Sequence, residues 1–350
     1  MRSGEGGGAL LVEKGVRLIG TDAWSLDRPY PLIGAEWRKR RDPSLLWPAH
    51  FAGIEREYCH IEKMANLDKL PEVGATRAHS TRASVISPGG RGRYRKKTAR
   101  EEMVVFHPNA AEGVHRIEGS FTNWYLLEED GRLTVVDTGV PTSWSSLIEA
   151  LENLERTLSD IEAVVLTHAH FDHLGFAERA RAELGVPVWV HENDVPLTKQ
   201  PRQYAHERAR TYYFATQLRA APMVAAFVRN RAWWPRPIKE VRRYGGGNLP
   251  VPGSPRVVFT PGHTLGHCSL YLPDRDCLIA GDAIVTLDPY TARTGPRIVA
   301  RAATADSERA LASLEALAET GAGTVLVGHG EPWTAGIEQA VEEARRAGVS

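Results

Sequence analysis

Of 350 residues, 43 are Lys or Arg and 43 are Asp or Glu, so no global charge argues for a nucleic-acid or membrane partner. The length suits one large domain or two smaller ones. Cys59, Cys268 and Cys277 are odd in number and lack disulfide-framework spacing, which fits a reducing cytoplasm, and the short apolar patch Ala9–Val12 makes neither a signal peptide nor a membrane span.

The even balance hides an asymmetry. Residues 1–103 carry 19 basic and 13 acidic side chains, and residues 104–350 carry 24 and 30. Residues 1–8 are Gly-rich and read as disordered. Gly15–Asp22 reads as a strand entering a loop, and Ile54–Leu70, rich in Glu, Lys and Leu, as a helix. Leu18-Ile19-Gly20-Thr21-Asp22-Ala23-Trp24-Ser25, and the run from His50 to Asn66-Leu67-Asp68-Lys69-Leu70-Pro71, resemble the C-terminal portion of the metal-dependent cyclases that include bacterial kynurenine formamidases. In that family a histidine and a glutamate twelve positions later bind metal, matched here by His50 and Glu62. The family's His-x-Gly-Thr-His-x-Asp motif is missing from this sequence. Two ligands of an incomplete set make a poor site. Residues 1–72 therefore read as a remnant of a fusion. Residues 73–100 hold eight Arg or Lys, no Asp or Glu and few apolar residues, so 73–103 reads as a disordered basic linker.

From residue 104 the pattern is that of a packed domain. Val114–Ile117, Thr122–Leu127 and Arg132–Asp137 read as strands, the last two joined by the Glu129-Asp130-Gly131 turn. Thr142 or Ser143 is placed to cap a helix running to about Leu158. Ala163–Leu166 is a short β-branched run that reads as a buried strand. A helix over Phe176–Leu184 ends at Gly185, and Val188–Val190 is a strand with His191 at its end, read as a structural residue or one supporting the site from behind. Residues 194–250 form a helical insertion, with helical character from Arg202 to Asn230. Its aromatics either make the insertion's own core or line a substrate pocket, for which Tyr212, Tyr213 and Trp234 are the candidates. Strands return at Arg256–Phe259, Ser269–Leu272 and Cys277–Ala280. A helix from Ser307 to about Thr320, the strand Thr324–Val327 and a terminal helix Ala335–Ala347, capped by Thr334, complete the chain.

One stretch organises all of this: Thr167-His168-Ala169-His170-Phe171-Asp172-His173-Leu174-Gly175. It places four metal-capable side chains in six positions on the loop leaving a strand, where open sheets place their sites. Neutral imidazole and carboxylate suit borderline cations such as zinc.

His-x-His-x-Asp-His resembles the metallo-β-lactamase superfamily of binuclear metallohydrolases. Four further motifs follow that family's order: Val135-Val136-Asp137-Thr138-Gly139, Thr260 to His267, Ala280-Gly281-Asp282 and Val327-Gly328-His329-Gly330. The resemblance implies an α/β fold of four layers, the αββα sandwich, over residues 104–350. It further implies one cation on His168, His170 and His263, a second on Asp172, His173 and His329, and Asp282 bridging them. Two Zn²⁺ are expected, with Fe or Mn as substitutes. Cations sharing a hydroxide lower its pKa to about 7, and Asp172 is the candidate to orient it and pass on a proton. Asp137 and Thr138 are expected behind the ligands, fixing their loop. His267 is not counted as a ligand.

Departures from the subfamilies narrow the substrate. The bridging Asp282 argues against an antibiotic hydrolase. Hydroxyacylglutathione hydrolases, the glyoxalase II type, carry the metal motifs but have a Gly where Phe176 stands, and a C-terminal glutathione-binding domain. Homoserine-lactone lactonases have a Tyr where Val285 stands. The expectation is a hydrolase of a small ester, thioester or lactone, cytoplasmic, without nucleic-acid or membrane partners. The rival is a mononuclear iron sulfur dioxygenase of the same fold, and a third reading is a non-catalytic binding module.

Overall fold

Apolar residues of the strands divide between two destinations with period two. Leu126, Val135 and Val164 join a buried cluster with Leu147, Leu151 and Ala177. Their neighbours Leu127, Val136 and Val165 join another with Leu270, Ile279 and Leu326. Successive strand side chains point to opposite faces, so this sheet is covered on both sides. The computed structural model describes residues 105–350 and two short N-terminal strands, in a chain that divides into Met1–Lys96 and Lys97–Ser350.

In the first unit β1 (Leu18–Gly20) pairs in parallel with β2 (Cys59–Ile61), Leu18 opposite Cys59. β1 falls within the expected strand. Within the helix expected over Ile54–Leu70, Cys59–Ile61 is instead a strand, its pairing with β1 overriding a weak helical propensity, and the rest of that span lies outside the described residues. His50, Glu62 and the basic linker lie outside the described residues.

The second unit holds two main sheets. The larger runs β3 (Val105–Ala111), β4 (Val114–Gly119), β5 (Thr122–Glu129), β6 (Arg132–Val136), β7 (Ile161–Val165), β8 (Val188–His191) and β9 (Arg242–Tyr244) in order. Its first four strands are antiparallel and β6 to β9 are parallel. The smaller runs β10 (Gly247–Asn248), β11 (Arg256–Phe259), β12 (Cys268–Leu272) and β13 (Cys277–Gly281), all antiparallel. A short separate hairpin, β14 (Val285–Leu287) and β15 (Thr294–Arg297), follows, and β16 (Thr324–Val327) then pairs in parallel with β13. The inner faces of both sheets share one core. Helices α1 (Trp144–Asn153) and α2 (Ala177–Leu184) cover the outer face of the larger sheet. Between β8 and β9 come α3 (Val195–Lys199), α4 (Arg210–Thr216) and α5 (Ala221–Arg229). Finally α6 (Ser307–Ala318) and α7 (Ile337–Ala347) cover the smaller sheet. The layers are helix, sheet, sheet, helix, as expected.

Several boundaries differ for local reasons. α1 stops at Asn153 instead of Leu158, because Glu155 takes φ +56° and the Arg156 N–H returns to the Leu151 carbonyl at 2.9 Å. Ser143 sits at the N-cap, yet its Oγ accepts from the Val140 N–H instead of capping. α7 begins after Gly336, at φ +86°, and not after Thr334. The insertion expected over 194–250 is helical only to Arg229: β9 and β10 are edge strands of the two sheets. Strands this short carry no readable alternation, which is why the sequence pattern missed them.

At the functional edge two side chains tie the sheets together, and a third ties two strands of the larger sheet. Tyr125 Oη donates to the Val327 carbonyl at 2.6 Å, Asn123 Nδ2 to the same oxygen at 2.9 Å, and Tyr244 Oη to the Leu166 carbonyl at 2.6 Å. Residues 104–350 contain both sheets and their buried clusters. Produced alone, this piece is expected to unfold in urea in one cooperative step. Tyr125→Phe in it should lose about 1 kcal/mol. An insoluble or non-cooperative piece would place essential core in the first 103 residues.

Candidate metal centre

β6 and β7 are parallel, so Asp137 and the His168–His173 loop leave one edge of the larger sheet. β11 and β13 both oppose β12, and β16 parallels β13. His263, Asp282 and His329 therefore leave one edge of the smaller sheet. The two edges coincide: the Cys268 N–H donates to the Thr167 carbonyl at 2.9 Å, and the Asn123 N–H to the Gly328 carbonyl at 2.7 Å.

The seven expected ligands meet there, all buried. Donor atoms of His168, His170 and His263 lie within 4.8 Å of one another, and so do those of Asp172, His173 and His329. Asp282 touches both groups. Its Oδ2 is 3.3 Å from His263 Nε2 and 3.3 Å from His329 Nε2, and its Oδ1 is 3.6 Å from His173 Nε2. Gly328 allows this approach, since a Cβ there would stand 2.0 Å from Asp282 Oδ1.

Behind the donors, hydrogen bonds fix which ring nitrogen faces inward. Asp137 Oδ1 accepts from the Thr167 N–H at 2.8 Å, and Oδ2 from the Thr167 hydroxyl at 2.8 Å and from His173 Nδ1 at 3.0 Å. Because the Thr167 hydroxyl spends its proton on Asp137, its oxygen accepts from His168 Nδ1 at 3.0 Å. His329 Nδ1 donates to the Phe121 carbonyl at 2.6 Å. That turns Nε2 of His168, His173 and His329 toward the centre as the nitrogen able to bind a cation. Thr138 holds the same loop, its N–H and hydroxyl both donating to the His173 carbonyl. Phe121 is held in place by a tight hairpin in which Ser120 and Phe121 take φ +56° and +60°, a costly conformation for non-glycine residues.

One supporting residue escaped the sequence reading. Asp194 is buried and receives the Ala169 N–H, the Thr264 hydroxyl and the Gly266 N–H at 2.8 to 3.0 Å, clamping the first histidine loop to that of His263. Burial raises its pKa against the pull of those donors. The available signal was its place, three residues beyond His191 at the same sheet edge. His191 itself only accepts from the Asn193 N–H and stacks on Phe259, as a structural residue does. His267, set aside as a ligand from the sequence, supports the centre as well. Its Nε2 accepts from the Asp282 N–H at 3.0 Å, so its Nδ1 carries the proton to Thr260 Oγ1 at 2.8 Å. Thr260 then donates to Ser269, and Ser269 to the Ala280 carbonyl. Burial pushes His267 down to about 3, keeping it the neutral acceptor this chain of bonds needs.

The centre suits cations. Nε2 of His168, His170, His173 and His263, and Oδ1 of Asp282, are buried without a hydrogen-bond partner. Each such atom costs about 1–3 kcal/mol unless something else satisfies it. Burial holds His168 and His170 neutral and lowers His263 to about 4. At His173 burial also opposes charge, but Asp282, Asp172 and Asp137 outweigh it and push the pKa up to about 10. His329 is raised in the same way by Asp282 and Asp172. Beside three carboxylates, two of the imidazoles therefore favour positive charge while the others stay neutral.

The substrate candidates lie elsewhere. Tyr213 is buried in the insertion's own core, its hydroxyl donating to the Ser350 carbonyl at 2.8 Å. Tyr212 is exposed beneath the Arg208 guanidinium. Trp234 is exposed and lines a surface pocket of about 310 Å³ with residues 199–203, Pro235 and Pro237. The aromatic that meets the histidines is Tyr204, 4.3 Å from the His170 ring, its hydroxyl 3.2 Å from that of Tyr290. No helix among the described residues is long and apolar enough to cross a membrane.

A four-layer sandwich with buried His and Asp groups at one edge defines a metal-dependent hydrolase. The family model of the Metallo-beta-lactamase superfamily matches residues 117–329, and the chain belongs to that superfamily. It is 27% identical over 237 residues to the probable metallo-hydrolase YflN of Bacillus subtilis, covering 64% of this chain and 86% of YflN. It is 25% identical over 160 residues to the hydroxyacylglutathione hydrolase GloC of Haemophilus influenzae, covering 45% of this chain and 64% of GloC. Among solved structures, the metallo-beta-lactamase family protein TTHA1429 of Thermus thermophilus aligns with 27% identity and a TM-score of 0.48, covering 69% and 77% of the two chains.

Asp137→Ala should keep the fold but free His173 and Thr167, lowering metal affinity about 10–100-fold. Competition with a chromogenic chelator measures this, and unchanged affinity would remove Asp137 from its positioning role.

Proposed function

We propose that this chain hydrolyses a small ester, thioester or lactone at a binuclear centre. His168, His170 and His263 would hold one cation, Asp172, His173 and His329 the other, and Asp282 both. The observation that carries this reading is the reach of one carboxylate oxygen, 3.3 Å from a histidine of each group. Imidazole with carboxylate favours zinc, with iron or manganese as substitutes.

When bound, such cations act as Lewis acids on a scissile carbonyl and make water acidic enough to attack at neutral pH. The chain's own groups supply the rest. Asp172 is buried, and burial raises its pKa, so it is suited to take up a proton during turnover and release it. Tyr204 covers His170, and burial keeps the Tyr204 and Tyr290 hydroxyls protonated; one donates to the other, leaving a single O–H of the pair to donate to a substrate oxygen. His267 and Asp194 hold the loops rigid, so little reorganisation accompanies reaction. The substrate is a small molecule. A relative named for hydroxyacylglutathione hydrolysis favours placing thioesters first in any screen.

The test is a panel of chromogenic esters, thioesters and lactones with zinc-loaded protein, beside metal analysis of protein purified without added metal. Two metals per chain with hydrolysis is the expected result. One iron with oxygen consumption on glutathione persulfide would instead make it the mononuclear dioxygenase, a reading that the complete second group of ligands disfavours. Asp282→Ala should cut kcat more than about 100-fold, beyond the range for residues that only support the ligands from behind, and lose metal. Near-normal turnover with two metals retained would end the bridging role.

A further inference from the structure

We propose that the outward face of α4 and α5 docks this protein on an anionic lipid bilayer. The inference starts from an exposed apolar surface. α5 has the sequence Ala-Pro-Met-Val-Ala-Ala-Phe-Val-Arg, with one charge in nine residues. A helix apolar all round belongs inside a protein. Only Met223, Ala226 and Phe227 are buried, while Ala221, Pro222, Ala225 and Val228 face solvent. At the tip of the helical pair, between α4 and α5, Leu218 is 76% exposed, and Phe214 precedes it at 41%. Beyond α5 the Arg231 N–H bonds to the Val228 carbonyl and the Trp234 N–H to that of Arg231. Val228, Arg231 and Trp234 are all exposed, Trp234 at 54%.

The charge around this surface selects its partner. Residues 208–236 contain six arginines and no Asp, Glu or Lys, in a stretch from residue 104 onward where acidic residues exceed basic ones. A second copy docking through the same face would set arginine against arginine, because a two-fold contact uses the same patch twice. Neutral apolar partners would leave the arginines without counter-charge. Aromatic and aliphatic tips flanked by arginine are the composition of surfaces that lie in the headgroup region, the apolar groups in the acyl boundary and the cations among lipid phosphates. Zero net charge, which argued against a membrane partner, averages this patch away.

The test uses the full chain and sedimentation with vesicles of phosphatidylcholine alone or mixed equally with phosphatidylglycerol. Binding to the mixed vesicles only, weakening as salt is raised, is expected. Leu218→Asp with Val228→Asp, and separately Arg219→Glu with Arg231→Glu, should each reduce it at least about tenfold. All four positions are exposed, and unchanged circular dichroism and ester hydrolysis verify the fold. Equal binding to neutral vesicles, binding that survives both double variants, or no binding overturns the proposal. So does capture of single-stranded nucleic acid, or a dimer, that the same variants abolish.

Discussion

One buried carboxylate, Asp137, sets the chemistry of this sandwich edge without belonging to either group of ligands. By accepting from the Thr167 hydroxyl it makes Thr167 an acceptor for His168, and by accepting from His173 directly it fixes that ring as well. Two imidazoles from one loop thereby present the same nitrogen inward. Without that constraint each ring could carry its proton on either nitrogen, and a buried histidine that presents N–H to a cation repels it. The position is tight enough that Asp137 takes φ +58°, a strain held by the three bonds it makes.

The second requirement is that two sheets agree on where their edges meet. Asp194 and His267 each cross between loops of different sheets or fix the residue that does. Asp194 joins a loop after β7 to one after β11, and His267 holds the backbone of Asp282. Both are buried and both are neutral or fully bonded in that role. The centre is thus assembled from parts that resist movement, as catalysis by fixed charges requires.

The helical segment between β8 and β9 follows different rules. It reaches the centre through Tyr204, yet much of its apolar surface is turned outward. Loops and insertions carry what varies between members of a fold, while the sheet holds the chemistry. Here the division is physical: the centre is buried and built of imidazoles and carboxylates, and the insertion's outer face is exposed and rich in arginine.

Five motifs in order, through the resemblance they carry, were enough to name all seven residues that meet at the edge, and each motif follows a strand. The four layers came from that same resemblance, while apolar patterning placed most of the individual strands and helices. What the sequence could not supply was direction. Asp194 and Thr260 look like ordinary polar residues until the tertiary structure brings loops from both sheets within bonding distance. The aromatics show the limit most clearly. Tyr212, Tyr213 and Trp234 stood out by composition, but Tyr213 is core and the other two face solvent, while Tyr204 sits on His170. Residue type and spacing determine which groups can bind a cation. Only the packing of short helices, with no strong period of their own, decides which aromatic turns inward.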